Sequence, residues 1–123
     1  MEVINKEGTD MAMAMGDIPL ERDEEGFLMD PELWTPELAQ ALAAEEDLEL
    51  DAERWDVVRY VRDYWERQAS VPEARTLLRH LKSEWGAEKA TRKYLYRLFP
   101  YGYGQQACKI AGMRKPRKLM LDV

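Results

Sequence analysis

Cysteine is almost missing from this chain: Cys108 is the only one in 123 residues. A single thiol excludes an intrachain disulfide framework and makes a reducing cytoplasm the expected compartment. Histidine is equally scarce. His80 has no cysteine or histidine at ligand spacing, so no metal is expected there and a surface position on a helix is. No glycine-rich phosphate cradle occurs, so no nucleotide cofactor is implied, and no other cofactor is called for. No run approaches the roughly 18 uncharged apolar residues of a membrane span. Met11, Met13 and Met15 lack the basic-then-apolar order of a secretory signal. Neither a Ser-His-Asp set nor paired carboxylates stand out. The acidic run from Glu45 to Glu53 lacks the alternating ligands and central glycine of a calcium loop, and reads as a solvated face.

What is present describes one folded domain. Apolar residues make up 46% and charged residues 34% of the chain, a globular balance. The net charge of −6 conceals a polarity along the sequence. Residues 1–70 carry 20 acidic against 6 basic side chains, and residues 71–123 carry 4 against 12. A basic rear half suggests an anionic partner, either nucleic acid or an acidic protein surface; the plainer alternative is that the halves neutralise each other within one fold.

The pattern predicts an all-α protein, a bundle of about five helices with an N-terminal β-hairpin. Residues 1–17 show no hydrophobic period and read as a flexible arm. The stretch from Ile18 to Met29 reads as a hairpin, turning at Asp23 to Gly26 with Gly26 at positive φ. Thr35 caps a helix with Pro36 at its first position, and Leu38, Ala41, Leu42 and Ala44 face inward. Asp51 caps a long central helix from Ala52 to about Gln68, striped by Trp55, Val58, Val61 (or Arg62) and Trp65. Ser70 to Glu73 matches a capping box opening a helix that Gly86 stops. A further helix spans about Glu88 to Leu98, and a short one Gln105 to Ala111, closed by Gly112. The domain is thus placed at 18–112, with a basic, flexible C-terminal arm at 113–123.

Two readings of the rear half stand side by side. The helices on either side of Gly86 outline a helix-turn-helix, with Arg92, Lys93 and Arg97 on the second and Arg114, Lys115, Arg117 and Lys118 in the arm, so phosphate contact is feasible. A glycine turn between two helices is also ordinary bundle architecture. Tyr94, Tyr96, Tyr101 and Tyr103 are able to stack on bases, or to pack in core and turns. Cys108 likewise reads two ways. Lys109 beside it, Arg114 and Lys115 nearby, and an early position in a helix favour a thiolate. Its neighbours Ala107, Ile110 and Ala111 favour a small buried hydrophobe.

The block Lys93-Tyr94-Leu95-Tyr96-Arg97-Leu98-Phe99-Pro100-Tyr101-Gly102, with Gln106-Ala107-Cys108-Lys109-Ile110-Ala111-Gly112 and Lys115-Pro116, resembles the DsrC/TusE family. Ala43-Ala44-Glu45-Glu46, the run from Trp55 to Tyr64 and Glu25-Gly26-Phe27-Leu28 are similar to it too. The family is named for the gamma component associated with dissimilatory sulfite reductase and for a sulfur-transfer protein of tRNA thiolation. The resemblance implies a C-terminal arm whose penultimate cysteine passes sulfur as a persulfide, and in DsrC proper an inner cysteine eleven residues earlier, able to join it in a disulfide. Cys108 matches the inner position; Leu119 stands eleven residues on, and the penultimate residue is Asp122.

Sulfur relay needs a thiolate within reach of several partners. The reading preferred on these residues is therefore an accessory or regulatory family member, not an enzyme in its own right, that docks to sulfur-relay or dissimilatory sulfite reductase-type proteins. The alternatives are a sulfur carrier acting through Cys108 and a DNA-binding regulator of sulfur-metabolism genes. Lys109 joins Arg92, Lys93, Arg97 and the arm cations as candidate partner contacts.

Overall fold

The computed structural model describes residues 21–116. The expected arm at 1–17, residues 18–20 of the expected hairpin, Arg117 and Lys118 lie outside the described residues. Within 21–116 the chain is mainly helical. Five α-helices follow one another: α1 (Pro36–Glu45), α2 (Ala52–Gln68), α3 (Ala74–Trp85), α4 (Arg92–Leu98) and α5 (Cys108–Ile110). A 3₁₀ turn (Pro31–Leu33) precedes α1 and a π-turn (Tyr103–Ala107) leads into α5.

Local chemistry places the first two helices where the sequence predicts them. The Thr35 hydroxyl accepts from the Leu38 N–H with Pro36 behind it, and Asp51 accepts from the Arg54 N–H. Helix α1 ends as its carbonyls at Ala43 and Ala44 receive the N–H groups of Leu48 and Asp47, with Asp47 at φ 58°. Leu38, Ala39, Leu42 and Ala43 face inward from α1, so Ala39 and Ala43 replace the expected Ala41 and Ala44. Val57, Val58 and Val61 meet them from α2, and Leu77 and Leu81 from α3. Both Val61 and Arg62 are buried, which resolves the choice left open between them.

Three boundaries differ from expectation, each for a physical reason. The capping box at residues 70–73 does not form: α3 starts at Ala74, and Glu73 makes no side-chain cap bond. Pro72 is buried with its carbonyl bonded to the Tyr103 hydroxyl at 2.7 Å, and a proline disfavours helix at the residue before it, Val71. Helix α4 begins at Arg92, not near Glu88, because Thr91 takes the cap role and Lys89 is drawn to Glu53 at 2.8 Å. The predicted short helix begins as a π-turn, and the chain stays packed past Gly112: Met113 is 1% exposed. The expected arm boundary at 113 therefore falls inside packed chain.

Of the expected hairpin, the turn at residues 23–26 is present, with Gly26 at φ 93° and one antiparallel bridge between Arg22 and Leu28. No strand forms among the described residues. Arg22 instead ties the turn to the end of α1, bonding both carboxylate oxygens of Glu45 at 3.1 and 2.6 Å. Replacing Asp51 with alanine removes the α2 cap; thermal melts are expected to show a loss of about 1 kcal/mol.

Candidate functional site

The site is built on the shortest helix. The Tyr103 carbonyl accepts from the N–H of Cys108, the π-type bond that turns the chain into α5. At the other end, α5 leaves four carbonyls needing donors. The Cys108 carbonyl takes the Met113 N–H at 3.0 Å and that of Lys109 the Gly112 N–H at 2.9 Å, a Schellman pair with Gly112 at φ 79°. The Ile110 carbonyl takes the Trp34 indole N–H at 2.8 Å, and that of Ala111 the Arg62 guanidinium at 3.2 Å. Every carbonyl is served.

Arg62 reaches that position between two indoles, its guanidinium carbon 4.8 Å from the ring centroids of Trp34 and Trp65. Glu66, one turn on, partners its Nε at 3.3 Å. A cation at a helix C-terminus is electrostatically favourable, which offsets part of the cost of burying it. Gly112 is fitted as closely: a Cβ there would stand 2.5 Å from the Trp34 ring.

Cys108 sits inside this frame with 0% exposure. Burial pushes its thiol up to about 12, against a smaller opposing pull from the Tyr103 hydroxyl. The features that favoured a thiolate in the sequence are outweighed by desolvation: α5 has three residues, too few for a sizeable dipole. Lys109, expected as a surface contact, is also turned inward. It is 8% exposed, bonds Glu46 at 3.1 Å and lies over the Phe27 ring. Gln106 joins the same carboxylate at 3.2 Å and accepts the Tyr101 N–H at 3.0 Å. Lys109 thus holds α5 to the end of α1 and is not available to a partner.

The remaining predicted cations do not assemble into a DNA-reading element. Helix α4 has seven residues, about 10 Å of helix, and residues 86–91 separate it from α3, a connection longer than the roughly three or four residues usual in a helix-turn-helix. Arg92, Lys93 and Arg97 are exposed on it, and Arg114 is exposed after α5. Lys115 is paired with Glu25 at 2.5 Å. Their mutual hydrogen bond holds the Glu25 carboxyl below, and the Lys115 ammonium above, their ordinary values. Lys89 and the Tyr94 hydroxyl likewise hold the Glu53 carboxyl below its usual range. His80 is half-buried and stacked on Tyr60 with ring centroids 4.1 Å apart, so its expected surface role is partly a packing one.

What the sequence reading missed is a groove of about 500 Å³ beside α4. Phe27, Leu95 and Tyr103 are buried residues in its lining. Arg92, Tyr96 and Tyr101 line it as well, the two tyrosines 60% and 76% exposed. Lys115 and Pro116 complete it from the segment after α5. Two of the four tyrosines therefore face solvent, whereas Tyr103 is in the core. Trp34, Arg62 and the groove had no short-range signal, because each depends on residues far apart in sequence. Among the described residues no helix is long and apolar enough to cross a membrane, and no cluster of metal-ligating side chains occurs.

Two measurements test this frame. Gly112→Ala and Gly86→Ala both place alanine at positive φ, but only the first meets Trp34, since nothing lies within 4 Å of a Cβ at Gly86. Gly112→Ala is expected to lose about 2 kcal/mol or more beyond the Gly86→Ala cost in denaturant titrations. Alkylation of Cys108 provides the second test. A thiol at about 12, against an ordinary 9.0, holds about a thousandfold less thiolate at neutral pH. Native protein at pH 8 is expected to resist iodoacetamide and to react at the free-cysteine rate only in denaturant.

Comparison with known proteins gives the fold its context. A family profile described as "DsrC like protein" matches residues 14–120. The chain is 46% identical over 96 residues to the sulfurtransferase TusE of Salmonella paratyphi A, covering 78% of this chain and 88% of that one. It is 42% identical over 99 residues to Escherichia coli TusE, covering 80% and 91%. Among solved structures, the oxidized gamma subunit of dissimilatory sulfite reductase (DsrC) from Archaeoglobus fulgidus superposes with a TM-score of 0.74 at 41% identity, over 79% and 89% of the two chains. Allochromatium vinosum DsrC gives 0.71 at 41%, over 80% and 88%. With the body shared nearly from end to end, this chain belongs to the DsrC/TusE family of sulfur-relay proteins.

Proposed function

We propose that this chain takes part in sulfur relay as an accessory or regulatory member, docking to sulfur-relay or sulfite reductase-type proteins without itself carrying sulfur. The observation behind this reading is the state of its one thiol. A carrier must present a thiolate to a donor and then to an acceptor, because bonds form and break at sulfur in both steps. Cys108 is buried and protonated, and Leu119 occupies the position where the resemblance implies the arm cysteine. Partners of the sulfite-reductase and sulfur-relay type are suggested by the names of its relatives. A cytoplasmic location goes with the same reading, since a lone free thiol suits a reducing compartment.

Kinship favours a second reading. The TusE relatives are named sulfurtransferases, which supports a sulfur carrier acting through Cys108. In that case local opening would expose the thiol, and its thiolate would attack the outer sulfur of a donor persulfide, releasing the donor as a thiolate. DNA binding gains no support from the short α4, the inward Lys109 or the names of the relatives.

Incubation with a persulfide donor, followed by intact mass measurement, separates the two. The accessory reading expects no added sulfur on native protein. A gain of one sulfur atom that passes to an acceptor protein and disappears in Cys108→Ser would sink it in favour of the carrier.

A further inference from the structure

The groove beside α4 has a chemistry of its own. Its volume lies in the range of ligand-binding pockets, and its lining combines buried apolar surface with exposed tyrosines and cations. Lys115 already has a counter-ion in Glu25. Arg92 is exposed, and no carboxylate among the described residues lies within ion-pair distance of it. Within residues 21–116, a strong bidentate donor thus stands without an ion-pair partner, beside the buried Phe27 and Leu95 and two exposed tyrosines.

Three occupants are conceivable, and the observations favour one. Nucleic acid brings charge at every step, whereas the described lining offers two cations, Arg92 and Lys115, and the second is already paired with Glu25. The chain's own continuation past Pro116 begins with Arg117 and Lys118, which would bring two more cations toward Arg92 and Lys115. A partner segment with carboxylates and aliphatic side chains matches both parts of the lining.

We propose that this groove receives an extended acidic segment of a partner protein, one carboxylate gripping Arg92 and an aliphatic side chain lying on Phe27 and Leu95 between Tyr96 and Tyr101. This deepens the docking role proposed above and rests on it. Recognition is by paired charge and apolar contact, the two terms that fix specificity and area in peptide grooves.

The test uses the full chain carrying Cys108→Ser, so that sulfur chemistry cannot contribute. A fluorescein-labelled hexapeptide of alternating Glu and Leu is titrated and followed by anisotropy. Binding is expected, weakened about fivefold or more when Gln replaces Glu in the peptide, and by a similar factor in Arg92→Gln. Tyr96→Ser with Tyr101→Ser, at two exposed positions, is expected to weaken it too, while Lys82→Gln on α3 leaves it unchanged. No binding, equal binding of the Gln peptide, or indifference to Arg92→Gln overturns the proposal. So does stronger displacement by a short DNA duplex, or by a synthetic peptide of residues 117–123, than by unlabelled acidic peptide. A persulfide gain on the native chain would remove the non-carrier role yet leave these titrations as they are, so the two failures are distinguishable.

Discussion

The structure depends on how one very short helix is ended. Three residues of α5 cannot hold themselves in place, because forming a first helical turn is unfavourable and here no long propagation follows. What fixes it is outside donors: the Trp34 indole on Ile110, the Arg62 guanidinium on Ala111, and the Gly112 turn on the two carbonyls before them. Arg62 serves because its guanidinium lies over both the Trp34 and Trp65 rings, a position a more hydrated ammonium would not take as well. With that end closed, Cys108 faces the core, Lys109 faces Glu46, and the chain leaves Met113 toward Pro116 along the groove. Each of these follows from the same four bonds.

The same frame explains the charge polarity of the sequence. Part of the contrast between an acidic front and a basic rear is consumed inside the fold, since Lys109 meets Glu46, Lys89 meets Glu53 and Lys115 meets Glu25. Each pair joins the rear half to the front. Exposed pairs of this kind contribute little individually to stability; the Lys109 pair, with both side chains mostly covered, is the one with structural weight. Exposed cations remain on α3 (Arg79, Lys82), on α4 (Arg92, Lys93, Arg97) and after α5 (Arg114), and of these Arg92 lines the groove. Neutralisation within the fold and attraction of an anionic partner are therefore not rivals: the first determines which cations are left for the second.

Legibility followed the range of the interactions. Thr35 with Pro36, and Asp51 ahead of a regular stripe, are local signals acting over a few residues, and both helices stand where they predict. Gly26 also marked a positive-φ turn in advance, and Gly112 the close of the last helix. The capping box at residues 70–73 had equally good local chemistry and did not form; Pro72 disfavours helix at Val71, and its carbonyl is bonded to Tyr103, thirty-one residues away. Lys109 was misread for a related reason: a lysine among basic neighbours looks solvated until the fold brings Glu46 to it. The inner thiol was the hardest. Its sequence neighbours argued both ways, Lys109 and the nearby cations for ionisation and Ala107, Ile110 and Ala111 for burial, and at 0% exposure the desolvation cost decides.

Family likeness and the state of one thiol bear on different parts of the molecule. Identity of 46% over 96 residues describes a shared body. Sulfur relay adds to that body a requirement of a few atoms, a thiolate on a segment with reach. A body able to dock but not to ionise its thiol would still occupy a partner's surface, and occupancy without transfer is itself a regulatory act, since it lowers the fraction of partner free to meet a true carrier. The strength of that effect would be set by the docking faces, not by the thiol's chemistry. In this chain the clamp on α5 and the groove beside α4 are well formed, whereas the buried Cys108 is the part a carrier would have to expose.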